Sequence, residues 1–115
     1  MTLNAIAYNN DRIFIKFTVV NKSNIDYDVE YVKLMRATKK KTKRQSFQET
    51  ELPVLDKFPE PGKLINHQNN VFVYVIEKLT IAKDEEVIIE LKEKNGMRDF
   101  QFPIGYHFIN NAKKL

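Results

Sequence analysis

The chain of 115 residues contains no cysteine, no tryptophan and only three glycines. Without cysteine there is no disulfide and no thiolate-bound metal, although the compartment stays open because many envelope proteins also lack disulfides. The isolated Gly62, Gly96 and Gly105 build no glycine-rich phosphate loop, and no metal-ligand spacing occurs. No apolar run approaches the roughly 20 residues that cross a bilayer. The opening Met1-Thr2-Leu3-Asn4 lacks the basic start and apolar stretch of an export signal. The expectation is a soluble protein, or a soluble domain of a longer secreted one.

Chemistry-bearing residues are equally sparse. Hydrolysis needs a nucleophile beside a base, or paired carboxylates in a pocket. The two histidines, His67 in a polar stretch and His107 near the end, have no partner at a telling spacing and read as surface residues. Asp26, Asp28 and Glu30 share one strand parity and offer oxygen ligands to Ca²⁺. No glycine-bearing loop accompanies them, so they read as a turn running into a solvated face. The expectation is a protein that is no enzyme and holds no cofactor or metal.

What is present is strand material. Apolar residues make up 43% of the chain, with eight Phe and five Tyr, enough for one two-layer domain. Leu3–Tyr8 reads as a marginal strand before the turn Asn9-Asn10-Asp11. In Arg12–Val20, Ile13, Ile15, Phe17 and Val19 share one parity, which predicts a strand buried on one face. Asn21–Asp26 is turn chemistry, with Asn21, Ser23, Asp26 and then Asp28 as architectural residues. Tyr27–Ala37 predicts the next strand, and Gln45–Leu55 a weaker one. Pro53–Asn70, with Pro59 and Pro61 and the polar Asn66–Asn70, reads as one long connection, and connections of that length are often functional. Val71–Ile76 is the candidate central strand, which Leu79–Ile81 continues.

Asn95-Gly96 is the favoured pair for a two-residue type I′ hairpin turn. It sets Lys94 opposite Met97, Glu93 opposite Arg98, Lys92 opposite Asp99, Leu91 opposite Phe100 and Ile89 opposite Phe102. Each favourable pair contributes roughly 0.2–1 kcal/mol. Pro103 is expected to end that strand, leaving 103–115 as a partly frayed tail. Six or seven short strands with regular turn signals predict an all-β, antiparallel, immunoglobulin-like β-sandwich of about seven strands as a single domain over 1–115. An OB-like barrel is the alternative.

The charge is uneven. Of nineteen basic residues, seven lie within 33–44 with no acid among them, leaving twelve against fifteen acids elsewhere. The run Lys39, Lys40, Lys41, Lys43 and Arg44 reads in two ways. It is a solvated loop that discourages edge-to-edge aggregation, or a phosphate-contacting tip with Tyr31 and Phe47 nearby for stacking. An acidic protein partner also fits. With Pro59, Pro61, Asn66 and Asn69 of the long connection, these are the candidate partner-binding residues. Asn21-Lys22-Ser23 matches a glycosylation acceptor and reads as part of the turn.

Several stretches together resemble the TraN family of conjugative transposon proteins. The matching residues are Asn21, Ser23, Asn24, Ile25, Tyr27 and Asp28, then Lys40, Lys43 and Arg44, then Gln48 and Glu49. Thr80 and Ile81 follow, and the pattern closes with Glu90, Glu93, Lys94, Asn95, Gly96 and Arg98. Their order and spacing cover residues 11–102. The chain departs from the family pattern at Glu77-Lys78-Leu79 and Ala82-Lys83, where prolines are usual, and in lacking an export signal. The resemblance implies the C-terminal domain of a longer exported protein, periplasmic or outer-membrane-associated. It implies a non-enzymatic structural component of a type IV secretion-like DNA transfer apparatus. The implied partners are other conjugation proteins, among them a small outer-membrane lipoprotein, with homo-oligomerisation in the assembled complex. A nucleic-acid-binding module using 39–44 is the rival reading.

Overall fold

The computed structural model describes residues 1–39 and 49–115. Its strands are β1 (Thr2–Asn9), β2 (Arg12–Val20), β3 (Tyr27–Thr38), β4 (Glu49–Leu52), β5 (Val54–Phe58), β6 (Lys63–Leu64), β7 (Asn69–Glu77), β8 (Glu85–Glu93), β9 (Phe100–Gly105) and β10 (Lys113–Lys114), with one short helix, α1 (Tyr106–Asn110). One sheet has the order β10-β1-β2-β7-β5 and the other β4-β3-β8-β9, with β6 also paired to β3. The two pack as a sandwich and do not close into a barrel, so the OB-like alternative is not what forms. The orders β1-β2-β7-β5 and β9-β8-β3-β4 follow the A-B-E-D and G-F-C-C′ arrangement of immunoglobulin domains.

The parity of β2 decides the inner face. Ile13, Ile15, Phe17 and Val19 are buried and meet Phe72, Tyr74 and Ile76 of β7. The second sheet contributes Leu34, Val87, Ile89, Leu91 and Ile104 from the opposite side. Phe17, Phe72 and Tyr74 form an aromatic trio with centroids 5.5–6.4 Å apart, in tilted and edge-on arrangements that suit the ring quadrupoles. On the outward face of the second sheet, Met35, Ala37 and Ile88 form a separate buried cluster.

The Tyr74 hydroxyl is buried and has no hydrogen-bond partner among the described residues. Burial pushes its pKa well above the ordinary phenol value. A buried unpaired polar group costs about 1–3 kcal/mol, so removing it is favourable where the ring stays in place. Tyr74→Phe is therefore expected to raise stability by about 1 kcal/mol, read as a higher urea midpoint. A lower midpoint would show that the hydroxyl is engaged.

Several sequence expectations are corrected here. The strand expected over Gln45–Leu55 is interrupted at Pro53: β4 ends at Leu52 in one sheet and β5 begins at Val54 in the other. The first residues of that expected strand, Gln45–Gln48, lie outside the described residues. The supposed long connection Pro53–Asn70 thus contains β5 and β6. Leu79–Ile81 is not a strand, because the Asn110 side chain takes both main-chain groups of Ile81, N–H to Oδ1 at 3.0 Å and Nδ2 to C=O at 2.9 Å. Pro103 does not end β9 but sits within it, opposite Ile88, since an edge strand tolerates a missing N–H. The segment 103–115 is not a frayed tail. It holds the buried Ile104 and Ile109, and Leu115 donates its N–H to the Tyr8 carbonyl at 2.9 Å.

Candidate functional site

Three connections meet at the end of the sandwich where β2 and β8 run out and β3 and β7 begin. They are 21–26, 59–68 and 94–99. The first is shaped by its own side chains. Asn21 is 7% exposed; its Oδ1 accepts the Ser23 N–H at 3.1 Å and its Nδ2 donates to the Ile25 carbonyl at 2.8 Å. This is the local side-chain capture that Asn and Ser offer in turns. Asn21 also ties down the second connection, donating to the Leu64 carbonyl at 3.3 Å and accepting the His67 N–H on its own carbonyl at 2.8 Å. Asp26 accepts the Asn66 N–H at 3.4 Å and lies 4.0 Å from the Lys63 ammonium.

Arg98 joins the third connection to the first. Its Nη1 donates to Ser23 Oγ at 2.9 Å and to the Ile25 carbonyl at 3.3 Å. Its Nη2 donates to the Asp26 carbonyl at 3.0 Å and to Glu93 Oε2, while Nε donates to the same carboxylate oxygen at 3.0 Å. All five guanidinium N–H groups are thereby used. The Arg98 N–H donates to Glu93 Oε1 at 3.2 Å, and the Tyr27 hydroxyl donates to the Arg98 carbonyl. Charge-assisted, two-pronged contacts of this kind are the strong ones. Arg98 holds the Glu93 carboxyl below the usual carboxylate range, while burial, with Glu93 and Asp99 nearby, pushes the Tyr27 hydroxyl up to about 12.

The hairpin expected around Asn95-Gly96 forms only in part. Leu91 faces Phe100 and Ile89 faces Phe102 as the spacing predicts, but the ladder stops there. The Lys94 N–H goes to the Asp28 carbonyl of β3 and the Glu93 N–H to Asp99 Oδ1. Asn95 has a φ of 53°, yet Gly96 has no positive φ, so the turn is not type I′. Glu93 and Arg98 do pair, through side chains, whereas Lys92 reaches Glu30 at 3.9 Å rather than Asp99.

A cavity of about 280 Å³ opens beside this brace. Met1, Val19, Leu64, Leu91 and Phe100 supply its apolar wall, with Asn21, Ser23 and Arg98 at the rim. The connections at this end carry apolar tips in solvent, Ile25 at 72% and Met97 at 95% exposure, with Ile65. The volume lies below the usual range of small-molecule sites, about 300–1,000 Å³, and suits an inserted side chain. Ser23 Oγ is occupied by Ile25 and Arg98 rather than by a base.

The structure therefore gathers Pro59, Pro61, Asn66 and Asn69 with Asn21, Ser23, Asp26, Asp28, Asn95 and Gly96 at one end. Lys39 lies at the opposite end, its N–H on the Asp84 carbonyl at 2.7 Å. Lys40, Lys41, Lys43 and Arg44, with Phe47, lie outside the described residues. Asp26, Asp28 and Glu30 do not converge, because a bulge between Val29 and Tyr31 breaks their shared face. No group of three or more metal-ligating side chains occurs among the described residues. The sequence reading did not place Arg98, Tyr27 or Phe100 at a site. The signal for Arg98 was present in its expected pairing with Glu93.

Fold and site together define an immunoglobulin-type β-sandwich with a side-chain-braced loop end. Residues 1–114 match the family described as "Domain of unknown function (DUF4138)", and the chain belongs to that family. No curated protein and no solved structure matches the chain.

Proposed function

We propose that this protein is a non-enzymatic, protein-binding β-sandwich that engages its partner through the braced loop end. By its resemblance to the TraN family, it serves as an envelope component of a conjugative, type IV secretion-like DNA transfer apparatus. The observation that carries this reading is the meeting of the two densest matching stretches. Asn21–Asp28 and Glu93–Arg98 are far apart in the chain and are held together by the contacts of Arg98. A rigid frame with exposed apolar tips and a side-chain-sized cavity is what a binding hot spot requires. Its partners in this reading are other subunits of the transfer system, including a small outer-membrane lipoprotein, met in the periplasm or at the outer membrane.

The test is calorimetric titration of the purified protein against the envelope subunits encoded beside it. Binding to at least one of them is expected, weakened at least tenfold by Met97→Asp or Ile25→Asp and unaffected by Lys39→Ala. Absence of binding to every such subunit overturns the proposal. The concentration of positive charge in 33–44 supports a second reading, nucleic-acid binding. That reading expects single-stranded DNA affinity that falls steeply with salt and drops when Lys40, Lys41 and Lys43 become Ala. No binding at low salt removes it.

A further inference from the structure

The outer edges of the two sheets are unequally guarded. Soluble β proteins blunt an edge with charge, proline, bulges or brevity. β4 is four residues long and carries Glu49 and Glu51. β5 has a register shift, carries Asp56 and Lys57, and is flanked by Pro53 and Pro59. β9 carries Pro103 in its middle. β1 shares a register shift with β5, between Leu3 and Ala5, but unlike the other three its sequence TLNAIAYN has no charge and no proline over eight residues.

The chain covers this edge only in part. β10 runs parallel to β1 and pairs with it at Ala7 and Tyr8 alone. Among the described residues no strand lies outside Thr2–Ile6. Leu115 donates to the Tyr8 carbonyl, so that residue's main-chain groups point outward. The alternation of a strand then aims the N–H and C=O of Ile6 outward as well; the parallel register of Ala7 with Lys113 engages that carbonyl and leaves the N–H open. Beside this stretch a groove of about 330 Å³ separates β1 from α1. Leu3, Ile6 and Phe108 make it apolar, with Phe108 61% exposed. Its ionisable groups, His107 and Lys113, are both basic.

We propose that the open edge of β1, Thr2–Ile6, is a strand-addition site. Its occupant is an extended segment of a partner protein, apolar at alternate positions, with an acidic residue where it meets His107 and Lys113. Main-chain hydrogen bonds to β1 supply affinity, and the Phe108 groove selects side chains, as in other sheet-edge recognition. A second copy of this chain is a poor occupant. Its own β1 brings no acid to the basic groove, and five edge residues per copy fall short of the roughly 1,200 Å² that a stable dimer buries. The site uses none of the residues that line the loop-end cavity, so the two surfaces stand or fall separately.

The probes are two synthetic ten-residue peptides alternating valine and threonine, one ending in aspartate and the other in lysine. Amide exchange of the whole chain is followed by NMR as each is added. The aspartate peptide is expected to slow exchange at Ile6 at least tenfold and to bind at least fivefold more tightly than the lysine peptide. Lys113→Glu is expected to reverse that preference, and Phe108→Asp to abolish binding of the aspartate peptide. Both positions are exposed, so unchanged amide exchange across β2 is expected in each variant. No protection at Thr2–Ile6 with millimolar peptide overturns the proposal, as does protection of β5 or β9 instead. Concentration-dependent protection of Thr2–Ile6 without peptide also overturns it, in favour of self-association.

Discussion

Arg98→Met is expected to lower the melting temperature by at least about 5 °C, a large shift for a domain of this size. It is also expected to speed amide exchange at Ser23 and Ile25 about tenfold. The variant keeps an unbranched apolar side chain but removes every hydrogen bond of the guanidinium and its stacking over the Tyr27 ring, 5.1 Å from the centroid. It also strands Glu93, whose side chain is only 11% exposed, without its counter-charge. A largely buried carboxylate left alone is costly in a way that a pair at the surface is not. Exchange separates local from global effects: the loop-end amides speed up more than those of β2, because only the first depend on the brace. Equal acceleration everywhere, or no change at Ser23, would mean that Arg98 is not the tie.

The same variant carries a pH signature. Glu93 has a lowered folded-state pKa, set chiefly by the Arg98 hydrogen bonds. Its contribution is therefore fully present above the ordinary carboxylate value and fades as pH falls below about 4. Arg98→Met is expected to lose that part of the acid sensitivity. A second part remains, because Arg36, Nε to Glu85 Oε2 at 2.8 Å, pulls the Glu85 carboxyl down to about 2 at the other end of the sandwich. That share fades as pH falls from the ordinary carboxylate range toward 2.

Gly96→Val is the second large effect, at about 1–3 kcal/mol of destabilisation, the range for forcing atoms into occupied space. A Cβ placed on Gly96 collides with Glu93 Oε1 and falls 2.7 Å from Glu93 Cγ. Only the carboxylate tip can swing freely, and Arg98 holds it. The loss is expected to shrink by more than half in a Glu93→Ala background, where the collision disappears. Additive effects in that double-mutant cycle would place the cost in the backbone instead.

That cycle bears on what the sequence could and could not reveal. Asn95-Gly96 reads as a type I′ turn because the pair tolerates positive φ at both positions, and Asn95 does adopt it. Gly96 is small for another reason: Glu93 folds across it to reach Arg98, a contact invisible to turn statistics. Period-2 patterning located β2, because one buried face imposes alternation directly, while an unbroken apolar run marked β7 and the Asn95-Gly96 pair marked β8. The prolines misled. Pro53 marks a passage between sheets, and Pro103 sits on an edge where its missing N–H costs nothing. The end of the chain looked polar, yet Ile109 and the amide of Asn110 anchor it, and two anchors in a polar stretch carry no period. The partner-binding residues of the 59–69 stretch were legible only as a long polar connection; their meeting with Asn21 and Arg98 depends on topology.

One detour in the chain has a mechanical meaning. After β5 the backbone leaves its sheet, and β6 pairs with β3 of the other sheet through Tyr27–Leu64 and Asp28–Lys63 before β7 returns. Gly62 adds a further bond, its carbonyl accepting the Val29 N–H at 2.8 Å. The two layers of a sandwich are otherwise held chiefly by non-directional contact between side chains, which resists separation better than sliding. The detour works as a tie-bar across one end. It fixes the offset of one layer against the other where the three connections meet, so a load applied to the loop end is shared by both sheets.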